Sequence, residues 1–77
     1  MKVLQVYSRQ GCHLCEDLIE ALHPLIEGKL ELEVRDIDTN RDWHERWFMD
    51  IPVVEYEGRV VCMHFLDQDA ITGILRG

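Results

Sequence analysis

The sequence is short of cysteine, of basic residues and of long apolar runs, and each shortage removes a class of explanation. Three cysteines among 77 residues cannot form the paired framework that staples small secreted domains. An odd count, with two of the three in Cys12-His13-Leu14-Cys15, is the usage of a reducing compartment, so the expected location is the cytoplasm. Lysine and arginine number 8 against 15 acidic residues, a net charge of −7. Phosphate backbones and anionic lipid surfaces repel such a chain, so neither nucleic acid nor membrane is an expected partner. No apolar stretch approaches the ~18 residues of a membrane span, and no secretory apolar segment follows Met1. Repeats, linkers and low-complexity tracts are absent as well. What remains is 47% hydrophobic, the composition of an ordered globular chain. Its length suits one domain over residues 1–77, expected to be monomeric and to bury only ~60–65% of its unfolded surface.

The informative feature is where the C-x-x-C falls. Lys2-Val3-Leu4-Gln5-Val6-Tyr7 reads as an apolar strand, and Ser8 to Gly11 as a polar turn. From Leu14 onward, Leu18, Ala21, Leu22, Leu25 and Ile26 recur at helical spacing. Cys12 and Cys15 therefore lie on one face of a helix's first turn, where unpaired N–H groups and the positive end of the dipole favour a thiolate. Pro24 lacks an N–H and clashes with the preceding turn, so the helix is expected to kink near His23 or stop there. Gly28 suits its end.

Further along, Leu30-Glu31-Leu32-Glu33-Val34-Arg35 alternates with the period of a half-buried strand. Asp36 to Asn40 is rich in turn formers and offers N-caps for a short helix over Arg41 to Phe48, on which Trp43 and Trp47 share a face. Val53-Val54-Glu55-Tyr56 and Arg59-Val60-Val61-Cys62 flank Glu57-Gly58 as a hairpin with a tight turn. Asp67 caps a last helix striped by Ala70, Ile71, Ile74 and Leu75. The expected fold is α/β. Two strands joined through a helix lie parallel, a hairpin adds an antiparallel pair, and three helices flank the mixed four-stranded sheet.

This element order, with C-x-x-C after the first strand and Ile51-Pro52 opening the hairpin, resembles the thioredoxin fold, and within it the small glutaredoxin-like proteins. Tyr7-Ser8-Arg9-Gln10-Gly11-Cys12-His13-Leu14-Cys15 is similar to the glutaredoxin active-site segment. Asp36-Ile37-Asp38 resembles the segment closing that family's second strand, and Ile51-Pro52-Val53-Val54 its X-Pro-Val signature. The chain departs from the family in its His13-Leu14 dipeptide, where dithiol glutaredoxins carry Pro-Tyr. It departs again at Cys62-Met63-His64-Phe65-Leu66-Asp67, where they carry a Gly-Gly turn and paired acidic residues that hold glutathione. Only Asp67 stands as a remnant of those acids.

The resemblance implies a thiol–disulfide oxidoreductase with Cys12 as the nucleophile and Cys15 as the resolving cysteine. No tightly bound cofactor is expected, glutathione is a candidate co-substrate, and the partner is a disulfide-bearing protein or a glutathione mixed disulfide. Arg9 and His13 are the candidate cations beside the thiolate, opposed by Glu16, Asp17 and Glu20. Arg9, His13, Leu14, Ile51, Pro52 and Asp67 form the candidate substrate surface. The resemblance further implies a cis Ile51-Pro52 bond, with the Ile51 N–H and C=O turned outward for an added substrate strand.

Blander readings stand beside each assignment. The cysteine pair could be buried, or could bind copper or zinc without turnover, although a four-cysteine zinc site needs a second cysteine pair, for which Cys62 with His64 is a poor substitute. The domain could also be a redox-inert interaction module. Arg9 could be a solvated loop charge and His13 an exposed spacer. Trp43, Trp47 and Phe48 are core packing more often than a cover for the site, Cys62 reads as a small buried hydrophobe, and His64 reads as structural. Met49 and Asp50 would border a substrate groove.

Overall fold

A computed structural model describes residues 2–77. Strand β1 (Val3–Ser8) leads into helix α1 (His13–Ile26), then β2 (Glu31–Asp36), a 3-10 turn (Ile37–Thr39), helix α2 (Arg41–Trp47), the hairpin β3 (Val53–Tyr56) and β4 (Arg59–Met63), and helix α3 (Gln68–Arg76). The strands form one sheet in the order β2-β1-β3-β4. β1 runs parallel to β2 and antiparallel to β3, which pairs antiparallel with β4.

Strand alternation divides the core between two faces. Leu4, Val6 and Val54 point to one side and are buried with Leu18, Leu22 and Ile26 of α1 and Ile71 of α3. Each such side chain withdrawn from water contributes ~1.5–3 kcal/mol before the entropy of ordering is subtracted. Tyr7 and Val53 point to the other side, where Ile37 and Trp47 complete a second, smaller cluster. Trp43 and Trp47 both lean on Tyr7, with ring centroids 5.8 and 5.6 Å away. The tryptophans thus pack under the sheet, and β1 is gripped from both sides where it ends.

Several local expectations are refined. α1 does not stop at Pro24 but continues to Ile26, because the buried stripe of Leu22 and Ile26 outweighs the one N–H that proline removes. Gly28 adopts φ 76° just beyond, and the Ile26 carbonyl accepts from both Lys29 and Leu30. Val34, which alternation places inward, is 50% exposed, since β2 is an edge strand. The hairpin turn has φ 50° at Glu57 and 79° at Gly58, the positive pair that a two-residue type I′ turn requires. A register shift at Val54/Glu55 leaves Val61 as an extra residue in β4.

The register also fixes what meets at the end of β1. Tyr7 pairs with Val53, Val53 with Met63, and Ser8 with Asp36. The loop carrying Cys12, the Ile51-Pro52 segment, the start of the 3-10 turn and the exit of β4 therefore converge on one edge of the sheet.

Candidate functional site

Cys12 is the N-cap residue of α1. Its extended backbone (φ −88°, ψ 101°) lets the sulfur turn back over the helix start, where Sγ accepts from the Cys15 N–H at 3.2 Å. A sulfur here does the work usually left to a Ser or Asp oxygen, satisfying an otherwise orphaned N–H. Cys15 lies one turn in, with its Cα 5.2 Å from that of Cys12, and the two sulfurs are at disulfide distance. Cys12 is partly exposed, whereas Cys15 is fully buried at 0%.

The other candidates divide. Arg9 is at the site but does not face the sulfur. Its guanidinium donates from Nε and Nη2 to Asp38 at 3.2 and 3.1 Å, pinning the cysteine loop to the 3-10 turn. His13 is 93% exposed, and its Nδ1 lies 3.6 Å from a Glu16 carboxylate oxygen. Leu14 is 48% exposed beside the disulfide. Pro52 is buried and follows a cis peptide bond. Its carbonyl accepts from the His64 N–H at 2.8 Å. The Ile51 N–H is not free for an added strand as the resemblance implied, because it donates to the Trp47 carbonyl at 3.1 Å, one of the last acceptors of α2. Asp67 caps α3, accepting from Ala70 N–H at 3.0 Å, and so has a structural duty of its own.

Two residues that the sequence did not single out belong to this edge. Asp38 is the partner that immobilises Arg9, and its place in the Asp36-Ile37-Asp38 segment was the available signal. Phe65 stands 72% exposed just after His64, which adopts φ 67°, a left-handed conformation that glycine takes without strain. No local sequence pattern announces that aromatic as exposed. Leu14, Asp17, Leu18, His64, Phe65 and Leu66 line a groove of about 320 Å³ between α1 and the β4 exit. A larger depression, about 520 Å³, lies among Tyr56, Arg59, Val60 and Ile74 near the hairpin turn, at the sheet's other end from the sulfurs. The groove beside Leu14 is the one that adjoins the chemistry.

A model of the Glutaredoxin-like domain (DUF836) matches residues 3–76. The chain belongs to this family. It is similar to the glutaredoxin-like protein YDR286C homolog of Dictyostelium discoideum, at 25% identity over 75 residues, covering 88% of this chain and 69% of that protein. Among solved structures it superposes on protein Ne2328 of Nitrosomonas europaea with a TM-score of 0.83, at 38% identity and with 95% and 89% of the two chains covered. The germline-specific thioredoxin Deadhead of Drosophila melanogaster shares the fold, at TM-score 0.55 and 16% identity over 96% and 77% of the chains. This glutaredoxin-like domain is thus an α/β thioredoxin-type sheet with a Cys12–Cys15 pair at disulfide distance at the start of its first helix. Among the described residues no three His, Cys, Asp or Glu side chains group to hold a metal. No described helix is long and apolar enough to cross a membrane.

Proposed function

We propose that this glutaredoxin-like chain is a thiol–disulfide oxidoreductase in which Cys12 attacks and Cys15 resolves. The observation that carries the reading is the asymmetry within one helical turn. Cys12 is the partly exposed cap of α1, and Cys15 is the buried residue whose N–H points at the Cys12 sulfur. An N–H aimed at sulfur, at the positive end of a helix, stabilises a thiolate there. A buried second sulfur is shielded from outside disulfides yet remains within reach of the first.

In the reduced protein, the Cys12 thiolate attacks one sulfur of a partner disulfide. The partner S–S bond breaks, its other sulfur leaves as a thiolate that takes a proton from water, and a Cys12–partner mixed disulfide forms. Cys15 then loses its proton and attacks Cys12 Sγ. The internal disulfide forms, and the second partner sulfur leaves as a thiol. Two electrons pass from the protein dithiol to the partner disulfide, and a thiol reductant restores the dithiol.

Thiol-trapping mass spectrometry across graded reduced and oxidised glutathione, with metals removed, tests this. A reversible Cys12–Cys15 disulfide is expected. With Cys15→Ser a mixed disulfide should accumulate on Cys12, whereas Cys12→Ser should leave Cys15 largely unmodified under native conditions. Absence of any redox change at either cysteine would sink the reading in favour of a redox-inert interaction module.

A further inference from the structure

Beside the disulfide, the surface is apolar and acidic in a combination that suits one kind of partner. Leu14 and Phe65 stand out on either side of the groove, over Leu18 and Leu66, and Asp17 forms part of its rim. Exposed apolar groups of this size, contiguous with a reactive sulfur, mark a contact surface more often than chance. His64 ties the groove to the rest of the edge. Its backbone N–H bonds the Pro52 carbonyl at 2.8 Å, and its Nε2 lies 3.9 Å from Asp50. Asp50 follows Met49, a further exposed apolar side chain at 75%.

Each basic side chain named at this edge lies against a carboxylate, whereas carboxylates are in surplus. Arg9 and His44 face Asp38, His13 faces Glu16, and His64 faces Asp50. Among the described residues, Asp17 and Asp67 enter no salt bridge. A ligand arriving at Cys12 therefore meets surplus carboxylate and basic side chains that are already paired. Oxidised glutathione carries four carboxylates and two ammonium groups, a net charge of about −2 at neutral pH, and would lay them against that rim. A polypeptide with an apolar side chain and a basic residue near its cystine would match both features.

We propose that the Leu14–Phe65 groove receives an apolar side chain of a protein disulfide partner whose neighbouring basic residue pairs with Asp17, and that the same rim disfavours glutathione disulfide. The proposal rests on the thiol–disulfide reading above, and it specifies the substrate class of that site. The electrons move as already written, from the protein dithiol to the partner cystine.

The test measures second-order rates of oxidation of the reduced protein by four disulfides. These are hydroxyethyl disulfide, glutathione disulfide, and two synthetic disulfide-linked peptides of equal length, one with Leu and Arg beside its cysteine and one with Ser and Glu. The Leu/Arg peptide should react at least about tenfold faster than either glutathione disulfide or the Ser/Glu peptide, the factor expected from burying one aliphatic side chain. Phe65→Ser and Leu14→Ser should each lower the ratio of the Leu/Arg peptide rate to the hydroxyethyl disulfide rate several-fold. Asp17→Lys, an exposed change, should raise the ratio of glutathione disulfide to the Leu/Arg peptide. Equal rates for glutathione disulfide and the Leu/Arg peptide, or ratios unmoved by all three substitutions, would overturn the proposal while leaving the chemistry standing. Failure of even hydroxyethyl disulfide to react would overturn the chemistry and the proposal together.

Discussion

Arg9 and His13 both sit within three residues of Cys12, yet neither presents a free positive charge to it. The Arg9 guanidinium is held bidentately by Asp38, and the His13 ring lies against the Glu16 carboxylate in nearly full solvent. What remains to favour a Cys12 thiolate is the helix start itself, above all the Cys15 N–H at 3.2 Å. His13→Ala should therefore shift the reduction potential of the Cys12–Cys15 couple by no more than ~15 mV. For a two-electron couple 30 mV corresponds to ~1.4 kcal/mol, and an exposed, salt-screened charge is worth a fraction of that. Equilibration against a dithiol buffer at 0.15 M salt measures it, and a shift beyond ~30 mV would show that the imidazole acts on the sulfur directly. Adjacency in sequence invites the opposite expectation, that the imidazole itself tunes the sulfur. The identity of Cys12 and Cys15 as a pair was legible, because a three-residue spacing at a helix start can only place them together. The direction of the neighbouring charges was not, since Asp38 comes from an element 29 residues away.

At the scale of elements, caps and turns were the most readable features, for they are decided by two or three consecutive residues. Asn40 caps α2 by accepting from Trp43 N–H, Asp67 caps α3, and Glu57-Gly58 turns the hairpin. The structure departs from local preference where tertiary packing overrides it: α1 runs on past Pro24 to Ile26, and Val34 faces water on an edge strand. Asp67 is the instructive case, since one residue was a candidate both for holding a ligand and for starting a helix. The two roles predict different variants. Asp67→Ala should destabilise the domain by ~1 kcal/mol, and Asp67→Asn should restore most of that, because an amide oxygen caps nearly as well as a carboxylate. Urea unfolding of the three proteins decides the matter. If Asn behaves like Ala, the cap is not what the carboxylate contributes. A stability loss at Asp67 should also be read before any activity loss there is assigned to substrate binding, as α3 delivers Ile71 to the main core.

For the molecule as a whole, the small core makes stability sensitive to any ionisation that folding opposes. Besides Arg35, whose guanidinium keeps its charge throughout, two groups have their acidity suppressed in the native state. Burial pushes the Cys62 thiol above its ordinary value of 9.0, against a backbone N–H of Asp67 that pulls the other way. Tyr7 is raised above 10.0, first by burial and then by its hydrogen bond to Glu55, with Arg35 opposing. Both folded-state values lie above the unfolded ones. The native chain therefore holds these protons longer, and the unfolded chain binds fewer of them as pH rises past 9. Stability should thus be unaffected by these two groups below pH 9 and fall as pH climbs through the raised values, thiol first and phenol after. Cys62→Val removes the first limb and keeps an apolar side chain of similar bulk, so its urea midpoint should hold flat past pH 9 and decline only as Tyr7 titrates. The measurement compares midpoints from pH 8 to 11 with Cys12–Cys15 kept oxidised. It is repeated at high salt, because general repulsion in an acidic chain is screened while the desolvation of buried Tyr7 and of Cys62, which is half-buried rather than buried as its sequence suggests, is not. The lysines, Lys2 and Lys29, are both exposed, and loss of their charge adds to repulsion that salt removes. A wild-type midpoint that stays level across this range in high salt would refute the linkage. A decline that Cys62→Val leaves unchanged at its onset would move the cause from the thiol to Tyr7 and the aromatic cluster it shares with Trp43 and Trp47.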